Sequence, residues 1–293
     1  MNGISVVIAN YNHPDLIRSC VESIDLHLDV SNLEVIVVDN GSQHQELSVL
    51  AAEFPFVKYH LLNKNFGFGY AINYGVKRSI FRNIVIMNSD IQIMDDSFQE
   101  LLNAFDAISD RQIWSPEIVG GSGEIQPVSL PKLRALKFLG HFSILNDLSR
   151  LSNFRIKQPA VRRSAQKIDV DILYGACLIM KKSDFQQLDG FDENYFMYFE
   201  DIDLCDRFRE NLSGTLSVCT ESRVMHKSRG SSESRTGINR IFLKSKYRYA
   251  FRRFGFVFCL LFMLFDFPLQ IILVNAIIVA QEIKHLSRPI SRT

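Results

Sequence analysis

Residues 1–120 alternate short, almost continuously apolar runs with segments whose apolar residues recur at helical spacing. Apolar runs without polar alternation are typical of strands that are buried on both faces of a parallel sheet. The strand candidates are residues 4–9, 34–38, 57–62 and 84–88. Because strands and helices follow one another in turn, the chain is predicted to form an α/β fold with helices on both faces of a parallel sheet.

Three helices are predicted among these strands. The first follows Pro14 and Asp15, two residue types that are favoured in the first turn of a helix. Its apolar residues stand at helical spacing: Leu16, Ile17, Cys20, Val21, Ile24 and Leu28. The other two helices are predicted over residues 70–81 and 97–108.

Polar side chains stand where three of the predicted strands end. Asn10 and Asn12 follow the first strand, Asp39 follows the second, and Asn88 and Asp90 follow the fourth. Ligands of open α/β sheets bind at the carboxyl ends of the strands, so these positions are candidates for a binding site. Each turn alone is also explained by the general preference of Asn, Asp, Gly and Ser for turns. Three such turns at one edge favour function.

Residues 190–206, called the acidic block below, carry six carboxylates among aromatic residues, and residues 189–206 contain no Lys or Arg. The block follows an apolar, strand-like run at residues 172–180 and leads into an amphipathic helix that is predicted to end near residue 211. Acidic groups beside apolar surface suit a site that accepts protons or meets a cation. Carboxylates also favour the first turn of a helix, so the block alone leaves a purely structural role open.

Charge and cysteine content argue against several classes of protein. The chain has 33 Lys and Arg against 32 Asp and Glu, so no net charge attracts nucleic acid, and no nucleic-acid partner is expected. The five cysteines form no CxxC pair and are odd in number. Since no signal peptide is recognisable, we expect a reducing, cytosolic compartment and no structural zinc site.

The regular alternation stops at about residue 119. Residues 119–168 open with a glycine-rich stretch and contain three prolines and scattered basic residues, a pattern typical of a lid or a binding loop. Residues 169–235 then resume with strand character, the acidic block, a helix, two short strands at 215–219 and 223–226, and a basic loop from Lys227. We predict one domain over residues 1–235.

The tail, residues 236–293, has a different composition. Residues 254–280 are almost wholly apolar, but Asp266 and Pro268 interrupt the centre and basic residues stand on both sides. A spanning helix needs about 20 apolar residues, and a charge at mid-bilayer costs roughly 2.5–3.5 kcal/mol. We therefore expect two helices that dip into one leaflet or lie in the membrane interface. The alternative is a buried helical hairpin that completes the core or a dimer.

The assembled motifs resemble the family 2 glycosyltransferases, specifically the rhamnosyltransferase-like branch that builds bacterial surface polysaccharides. In chain order the motifs are SVVIANYN at 5–12, VVDNGS at 37–42, NFGFG at 65–69 with Asn73, MNSD at 87–90, GACL at 175–178, GFDE at 190–193 and FMYFEDIDL at 196–204, followed by His226. The resemblance covers about residues 3–232. It implies the GT-A fold of nucleotide-diphospho-sugar transferases, with a mainly parallel sheet flanked by helices.

The resemblance also divides the domain by function. Residues 1–118 would bind the nucleotide, residues 119–168 would be an insertion or acceptor loop, and residues 169–235 would hold the acceptor and the catalytic residues. The implied donor-binding residues are Asn10, Asn12, Asp39, Asn65, Gly67, Asn88 and Asp90.

Asp90 would also be the last residue of the family's DxD-type motif and would bind Mg²⁺ or Mn²⁺, with His226 as a further ligand. The first acid of that motif is replaced by Asn88 in this chain, which leaves one carboxylate and implies weaker metal binding.

For catalysis, the resemblance implies an inverting transfer in which Asp201 takes the proton of the acceptor hydroxyl and Glu200 orients the base or the acceptor. The branch favours dTDP-L-rhamnose as donor and a polyprenyl-diphosphate-linked saccharide of O-antigen or capsule synthesis as acceptor. The protein would then work at the cytoplasmic face of the bacterial inner membrane, held there peripherally or monotopically by its tail.

Three alternatives stay open. A dinucleotide-binding oxidoreductase would use Gly67 and Gly69 before a helix, but Ile72 takes the third glycine position and the acidic block is left unexplained. A non-catalytic sugar-nucleotide-binding assembly protein would keep the fold without turnover. A family 2 transferase could also use UDP-galactose, UDP-N-acetylglucosamine or UDP-galactofuranose.

Overall fold

The computed structural model describes residues 3–43, 47–142, 166–227 and 235–286. Contacts divide the chain into two compact units. The first unit combines Met1–Lys132 with Gln158–Ser245, and the second combines Leu133–Lys157 with Lys246–Thr293. The domain boundaries given above remain a prediction.

The first unit is built on a large mixed sheet. In spatial order its main path runs β3-β2-β1-β4-β10-β6-β11-β5, with β8 paired to β11, and β7 pairs β9 separately. The strands are β1 Ile4–Asn10, β2 Leu33–Asp39, β3 Val57–Leu61, β4 Asn83–Asn88, β5 Ile91–Ile93, β6 Gln112–Gly120, β7 Ser129–Leu130, β8 Lys167–Val170, β9 Ile172–Leu173, β10 Cys177–Lys181 and β11 Thr215–His226.

The four N-terminal strands are parallel, as their continuous apolar runs predict. The side chains of β1, β2 and β4 are almost entirely buried, because helices cover the sheet and no strand face is left for water. Pairing of Asn10 with Asp39 and of Ala9 with Asn88 brings the polar strand ends to one edge. The four predicted strands and this shared edge are confirmed.

Antiparallel strands complete the sheet. The next strand, β10, lies antiparallel to both β4 and β6, while β11 runs parallel to β6 and antiparallel to β5 and β8. Because β10 starts where β4 ends, the turn that precedes β10 lies at the same edge as the polar ends of β1, β2 and β4.

The helices begin and end close to the predicted positions. They are α1 Pro14–His27, α2 Leu47–Glu53, α3 Phe68–Arg78, α4 Ser97–Asp106, α5 Ala135–Phe142, α6 Lys182–Gln187, α7 Glu200–Leu212 and α8 Arg235–Leu286. The third helix starts two residues earlier than predicted, directly after Gly67, and ends at Arg78, where the Ser79 N–H caps the last turn. The short helices α2 and α6 were not predicted, nor was α5, which lies in the 119–168 insertion.

Three details differ from the sequence patterns. The apolar run at 172–180 is split into β9 and β10 by a turn at Gly175, whose N–H holds a side chain of the acidic block. The strands predicted at 215–219 and 223–226 form one strand, β11, with a register shift between Cys219 and Arg223. Strand β6 was missed because Pro116 interrupts its apolar pattern, and proline normally argues against a strand with two neighbours.

The second unit contains α5 and the part of α8 from Lys246 onward. Gly255, with φ of 86°, breaks the helical path of α8. Phe138 of α5 is fully buried in a cluster of aromatic rings with Tyr249, Phe254 and Phe262. Within the described part of the chain, no helix is sufficiently long and apolar to cross a bilayer.

Gly75 tests the packing of α3 on the sheet. A Cβ atom at this position would lie 2.4 Å from Val7 Cγ1 and 3.1 Å from Val38 Cγ2. We expect Gly75→Ala to lower the free energy of unfolding by about 1–3 kcal/mol, because overpacking a dense core typically costs that much. Urea denaturation measures the difference.

The matched control is Gly121→Ala, where an added Cβ meets no atom within 4 Å. It should change stability by less than about 0.5 kcal/mol. Equal stability of the two variants would show that α3 does not pack as closely as described.

Candidate active site

Asn10 and Asp39 lie side by side at the carboxyl edge of the sheet. The backbone of Asn10 is fixed because the Asn40 N–H donates to its carbonyl oxygen at 2.8 Å. Its side chain is 3% exposed, and its Oδ1 atom has no hydrogen-bond partner among the described residues. A buried polar atom without a partner is costly, so this acceptor suits a donor group that a ligand would bring.

The Asp39 carboxylate is held by the turn that follows it. Ser42 donates to Asp39 Oδ1 from its backbone N–H at 3.1 Å and from its hydroxyl at 2.5 Å. The Asn12 N–H donates in turn to Ser42 Oγ at 2.7 Å. Burial raises the pKa of Asp39 above its ordinary value, although the two hydrogen bonds from Ser42 oppose this shift. Asn12 therefore contributes through the turn that positions Asp39.

Asn40, directly after β2, holds the loop at residues 65–67 by hydrogen bonds. Its Nδ2 donates to Asn65 Oδ1 at 2.9 Å and to the Gly67 carbonyl at 3.0 Å, and its Oδ1 accepts from the Phe66 N–H at 3.0 Å. The residue is 4% exposed. Asn40 was not among the predicted site residues, since within the VVDNGS motif it looks like an ordinary turn residue.

Gly67 brings this loop against the acidic block. Its φ of 97° favours glycine, and a Cβ atom there would lie 2.4 Å from the carbonyl oxygen of Phe196. The neighbouring Phe68 N–H donates to that same carbonyl at 3.0 Å. The close approach that requires glycine is therefore a contact within the chain, which joins the 65–68 loop to the segment before Glu200.

Asp90, in the turn before β5, faces His226 at the end of β11, the strand that pairs with β5. The Asp90 Oδ1 and His226 Nε2 atoms are 3.1 Å apart, and both side chains are mostly buried. His226 Nδ1 lies 3.0 Å from Gln126 Oε1, a contact that fits a protonated Nδ1 donating to the amide oxygen. Nε2 is then the ring nitrogen that faces Asp90 and that could bind a cation between the two side chains.

This pair could supply two ligands to a divalent cation. A carboxylate oxygen and an imidazole nitrogen at hydrogen-bond distance, with the imidazole oriented by Gln126, form a suitable donor set for Mn²⁺. The described residues contain no group of three or more His, Cys, Asp or Glu that could hold a metal. Mg²⁺ in nucleotide sites usually takes further ligands from water and from substrate phosphates.

Asn88 links the carboxyl edge of the sheet to the acidic block. Its N–H donates to the Ala176 carbonyl at 3.0 Å, in the turn between β9 and β10. The preceding Gly175 N–H donates to Asp201 Oδ2 at 2.9 Å. Two hydrogen bonds, joined through the peptide bond between Gly175 and Ala176, thus connect the end of β4 to the carboxylate of Asp201.

Glu200 and Asp201 begin α7. Asp201 accepts from the Gly175 N–H and, through Oδ1, from its neighbour Ile202 N–H at 2.8 Å. Glu200 is 7% exposed, and its Oε2 has no hydrogen-bond partner in the described part of the chain. Burial raises the pKa of both carboxyls, and for Glu200 the nearby charge of Asp201 raises the pKa further.

The approach to α7 is strained. Tyr198 and Phe199 both have φ near +70°, a left-handed conformation that bulky residues rarely adopt. Such residues cost about 1–3 kcal/mol each and persist only where the surrounding structure requires them. Here they direct the chain so that Glu200 and Asp201 start the helix beside the Gly175 turn.

Among the described residues, Asp203 of α7 forms an ion pair, unlike Glu200 and Asp201. Asp203 accepts from Arg207 Nε at 2.7 Å, and the same guanidinium donates to the carbonyls of Leu188 at 2.6 Å and Gly190 at 2.9 Å. Asp203 therefore anchors Arg207, which ties α7 to the segment that enters the acidic block. This agrees with the structural role that helix-start acids commonly have.

A comparison with protein-family models assigns the chain to a family. The model of Glycosyl transferase family 2 matches residues 5–188, more than half of the chain. The chain belongs to this family. The matched range includes the donor edge, Asn40, Gly67, Asp90 and Gly175, while the acidic pair and His226 lie beyond it.

Two curated relatives of this family 2 chain are rhamnosyltransferases by name. The N-acetylglucosaminyl-diphospho-decaprenol L-rhamnosyltransferase of Mycobacterium tuberculosis is 28% identical over 206 residues, 66% of this chain and 66% of that protein. The chain thus spans slightly less than two thirds of that relative's length. Rhamnosyltransferase WbbL of Escherichia coli K12 is 24% identical over 261 residues, 85% of this chain and 93% of WbbL.

The fold agrees with a solved transferase structure. GalNAc-T7, crystallised with UDP, GalNAc and Mn²⁺, superimposes with a TM-score of 0.61 at 14% identity, over 85% of this chain and 47% of that one. At this identity the likeness shows the fold, which is the GT-A type expected from the sequence motifs.

Glu200→Gln tests the burial of the acidic pair. Because the pKa of Glu200 is raised on folding, its contribution to stability is complete below the ordinary carboxyl pKa and is lost as pH rises through the raised pKa. Glutamine does not titrate. The melting temperature of the variant minus that of the wild type should therefore increase between about pH 5 and about pH 8.

The matched control is Glu193→Gln, at an exposed position of the same acidic block. Its melting temperature should follow the wild type across this pH range. A difference for Glu200→Gln that stays flat with pH would contradict the burial of an ionisable carboxyl at this position.

Proposed function

We propose that the protein is an inverting glycosyltransferase that moves L-rhamnose from dTDP-L-rhamnose to a polyprenyl-diphosphate-linked saccharide in O-antigen or capsule synthesis. The observation that carries the proposal is the pair formed by the buried Glu200 and the half-buried Asp201, joined through the Gly175 turn to the end of β4. The names of the mycobacterial and E. coli relatives support rhamnosyl transfer, and the former also supports a polyprenyl-linked acceptor.

Asp201 is the proposed general base. Its carboxylate takes the proton of the acceptor hydroxyl as that oxygen forms a bond to the anomeric carbon, and the bond from that carbon to the dTDP oxygen breaks with its electron pair leaving on dTDP. Burial raises the pKa of Asp201, which makes the carboxylate a stronger base than an exposed aspartate. The N–H groups of Gly175 and Ile202 hold its orientation.

The donor would lie along the edge formed by β1, β2 and β4. The Asp39 carboxylate and the Oδ1 of Asn10, which has no partner among the described residues, are acceptors suited to the N–H of a pyrimidine base and the hydroxyls of a sugar. Asn65 and Gly67, held by Asn40, would form the wall of the nucleoside pocket. Asn88 would contact the sugar.

Asp90 and His226 would hold a divalent cation, Mg²⁺ or Mn²⁺. When bound, the cation would neutralise the charge that develops on the departing diphosphate. The imidazole ligand favours Mn²⁺ over Mg²⁺.

A second candidate is a family 2 transferase with another donor, such as UDP-galactose, UDP-N-acetylglucosamine or UDP-galactofuranose. The crystal structure of GalNAc-T7 with UDP shows that this fold also serves uridine nucleotides.

We place the protein at the cytoplasmic face of the bacterial inner membrane, where a polyprenyl-linked acceptor would be reached. The described part of the chain omits residues 228–234 of the basic loop and residues 143–165 of the 119–168 insertion.

Asp201→Asn tests the proposed base. The amide cannot accept the proton, so the transfer rate should fall by about 10²–10⁴-fold, while the dissociation constant for dTDP-rhamnose changes by less than about twofold. Radiolabelled sugar transfer gives the rate and isothermal titration gives the affinity. Glu193→Gln is the control and should keep both. Undiminished transfer by Asp201→Asn would remove Asp201 from the role of base.

Gln126→Leu tests the orientation of His226. Losing the acceptor for Nδ1–H should weaken Mn²⁺ binding about 10–100-fold in the presence of dTDP, because partners of metal-binding histidines typically contribute that much. Electron paramagnetic resonance of free Mn²⁺ measures the affinity without turnover. Gln126→Glu keeps an acceptor and should retain tight binding. Equal affinities for wild type and Gln126→Leu would contradict the proposed histidine tautomer.

A further inference from the structure

Beyond the break at Gly255, the helix α8 exposes a large apolar surface. Seven side chains of this segment are 40–79% exposed: Phe256, Val257, Leu260, Leu261, Met263, Leu264 and Phe265. We call this set the apolar face. No charged residue occurs from Phe254 to Phe265.

The apolar face covers more than half of the helix circumference. At 100° per residue, these seven positions spread over an arc of about 200°. A helix that packs on a protein core needs an apolar stripe of only about 100°, with polar residues opposite. An arc of this width without polar residues is typical of a helix in contact with lipid.

The remaining side of the helix is already occupied within the second unit. Cys259 and Phe262 are buried, and the Cys259 thiol donates to the Tyr247 carbonyl at 3.4 Å. The ring centroids of Tyr247 and Phe262 are 5.7 Å apart, and Phe138 packs on Phe262 at 5.3 Å. The segment therefore folds back on residues 246–249 and directs its apolar face outward.

Asp266, which interrupts the apolar stretch in the sequence, does not lie on the apolar face. Its side chain is 2% exposed and pairs with the fully buried Lys246 ammonium. The Tyr247 hydroxyl donates to the same Oδ2 atom at 2.9 Å. Since the charge of Asp266 is compensated inside the fold, it presents no barrier to lipid contact at the surface.

Basic residues adjoin the apolar face. Arg252 and Arg253 stand just before Phe254 and the break at Gly255, and Arg252 is exposed. Cations beside an exposed apolar surface complement the anionic headgroups of a cytoplasmic leaflet. An exposed apolar surface with cations beside it fits the interface of a single leaflet.

We propose that the apolar face of α8 inserts into one leaflet of an anionic membrane, with the Lys246–Asp266 pair keeping the charge of Asp266 inside the protein. This proposal does not depend on sugar transfer. Membrane insertion can be disproved while the transferase assignment stands, and the transferase assignment can be disproved while membrane insertion stands.

Fluorescence quenching in vesicles tests the insertion. The chain has a single tryptophan, Trp114, which is 6% exposed in the first unit. Full-length Leu264→Trp, mixed with phosphatidylglycerol–phosphatidylcholine vesicles that carry brominated acyl chains, should be strongly quenched. The wild-type protein, with Trp114 alone, should not. Absence of quenching of Leu264→Trp would overturn the proposal.

Vesicle flotation supplies the second test. Leu261→Asp and Phe265→Asp should each weaken partitioning at least about tenfold, since a charge replaces an inserted apolar side chain. Leu26→Asp, at a 75% exposed position of α1, should leave partitioning unchanged. Circular dichroism checks that each variant is folded. Equal partitioning of all three variants would contradict insertion.

Two other occupants of the apolar face would also show in these experiments. If a second copy covers it, light scattering will show a dimer that Leu261→Asp dissociates, and the wild type will not float with vesicles. If residues 267–293 of the same chain cover it, the wild type will stay monomeric and will not float. Either result overturns the proposal. Tighter flotation with phosphatidylglycerol than with phosphatidylcholine alone supports it.

Discussion

The backbone pairing of β4 with its two neighbours is the constraint on which the candidate site depends. Parallel pairing of β1 with β2 and β4 places Asn10, Asp39 and Asn88 at one edge. Antiparallel pairing of β10 with β4 brings the Gly175 turn to the same edge, because β10 begins where β4 ends. The Gly175 N–H can then hold Asp201, which belongs to a helix that begins more than 100 residues after β4. A slip of one residue in either pairing would separate the two halves of the site.

The site also concentrates energetic costs that the rest of the first unit offsets. At the start of α7, Glu200 is buried beside the half-buried Asp201, and two bulky residues before them adopt a left-handed backbone. Asn10 keeps a buried acceptor without a partner among the described residues. Each of these features opposes folding, and functional sites are where such features usually persist. The apolar strands, whose side chains are almost fully buried, provide the compensating stability.

The sequence predicted the parallel half of the sheet well because its strands are unbroken apolar runs, and it placed the polar strand ends at one edge. It did not reveal β6, where Pro116 and the buried Glu117, bonded to Arg223, interrupt the pattern. Gln126 lies in an irregular segment and carries no local signal of its contact with His226. Asp266 looked like an interruption of an apolar stretch, since its partner Lys246 is 20 residues away and the pairing depends on a helical hairpin.

The most direct test of the donor site is isothermal titration of dTDP-L-rhamnose into the full-length protein, with and without Mn²⁺, for wild type and Asp90→Ala. UDP-galactose, UDP-N-acetylglucosamine, UDP-galactofuranose and GDP-mannose serve as the comparison panel. If Asp90 and the strand edge hold a metal-bridged nucleotide sugar, wild type will bind dTDP-rhamnose in a Mn²⁺-dependent manner and Asp90→Ala will not. Binding by Asp90→Ala at wild-type affinity, or no binding of any donor by wild type, would contradict the proposed site.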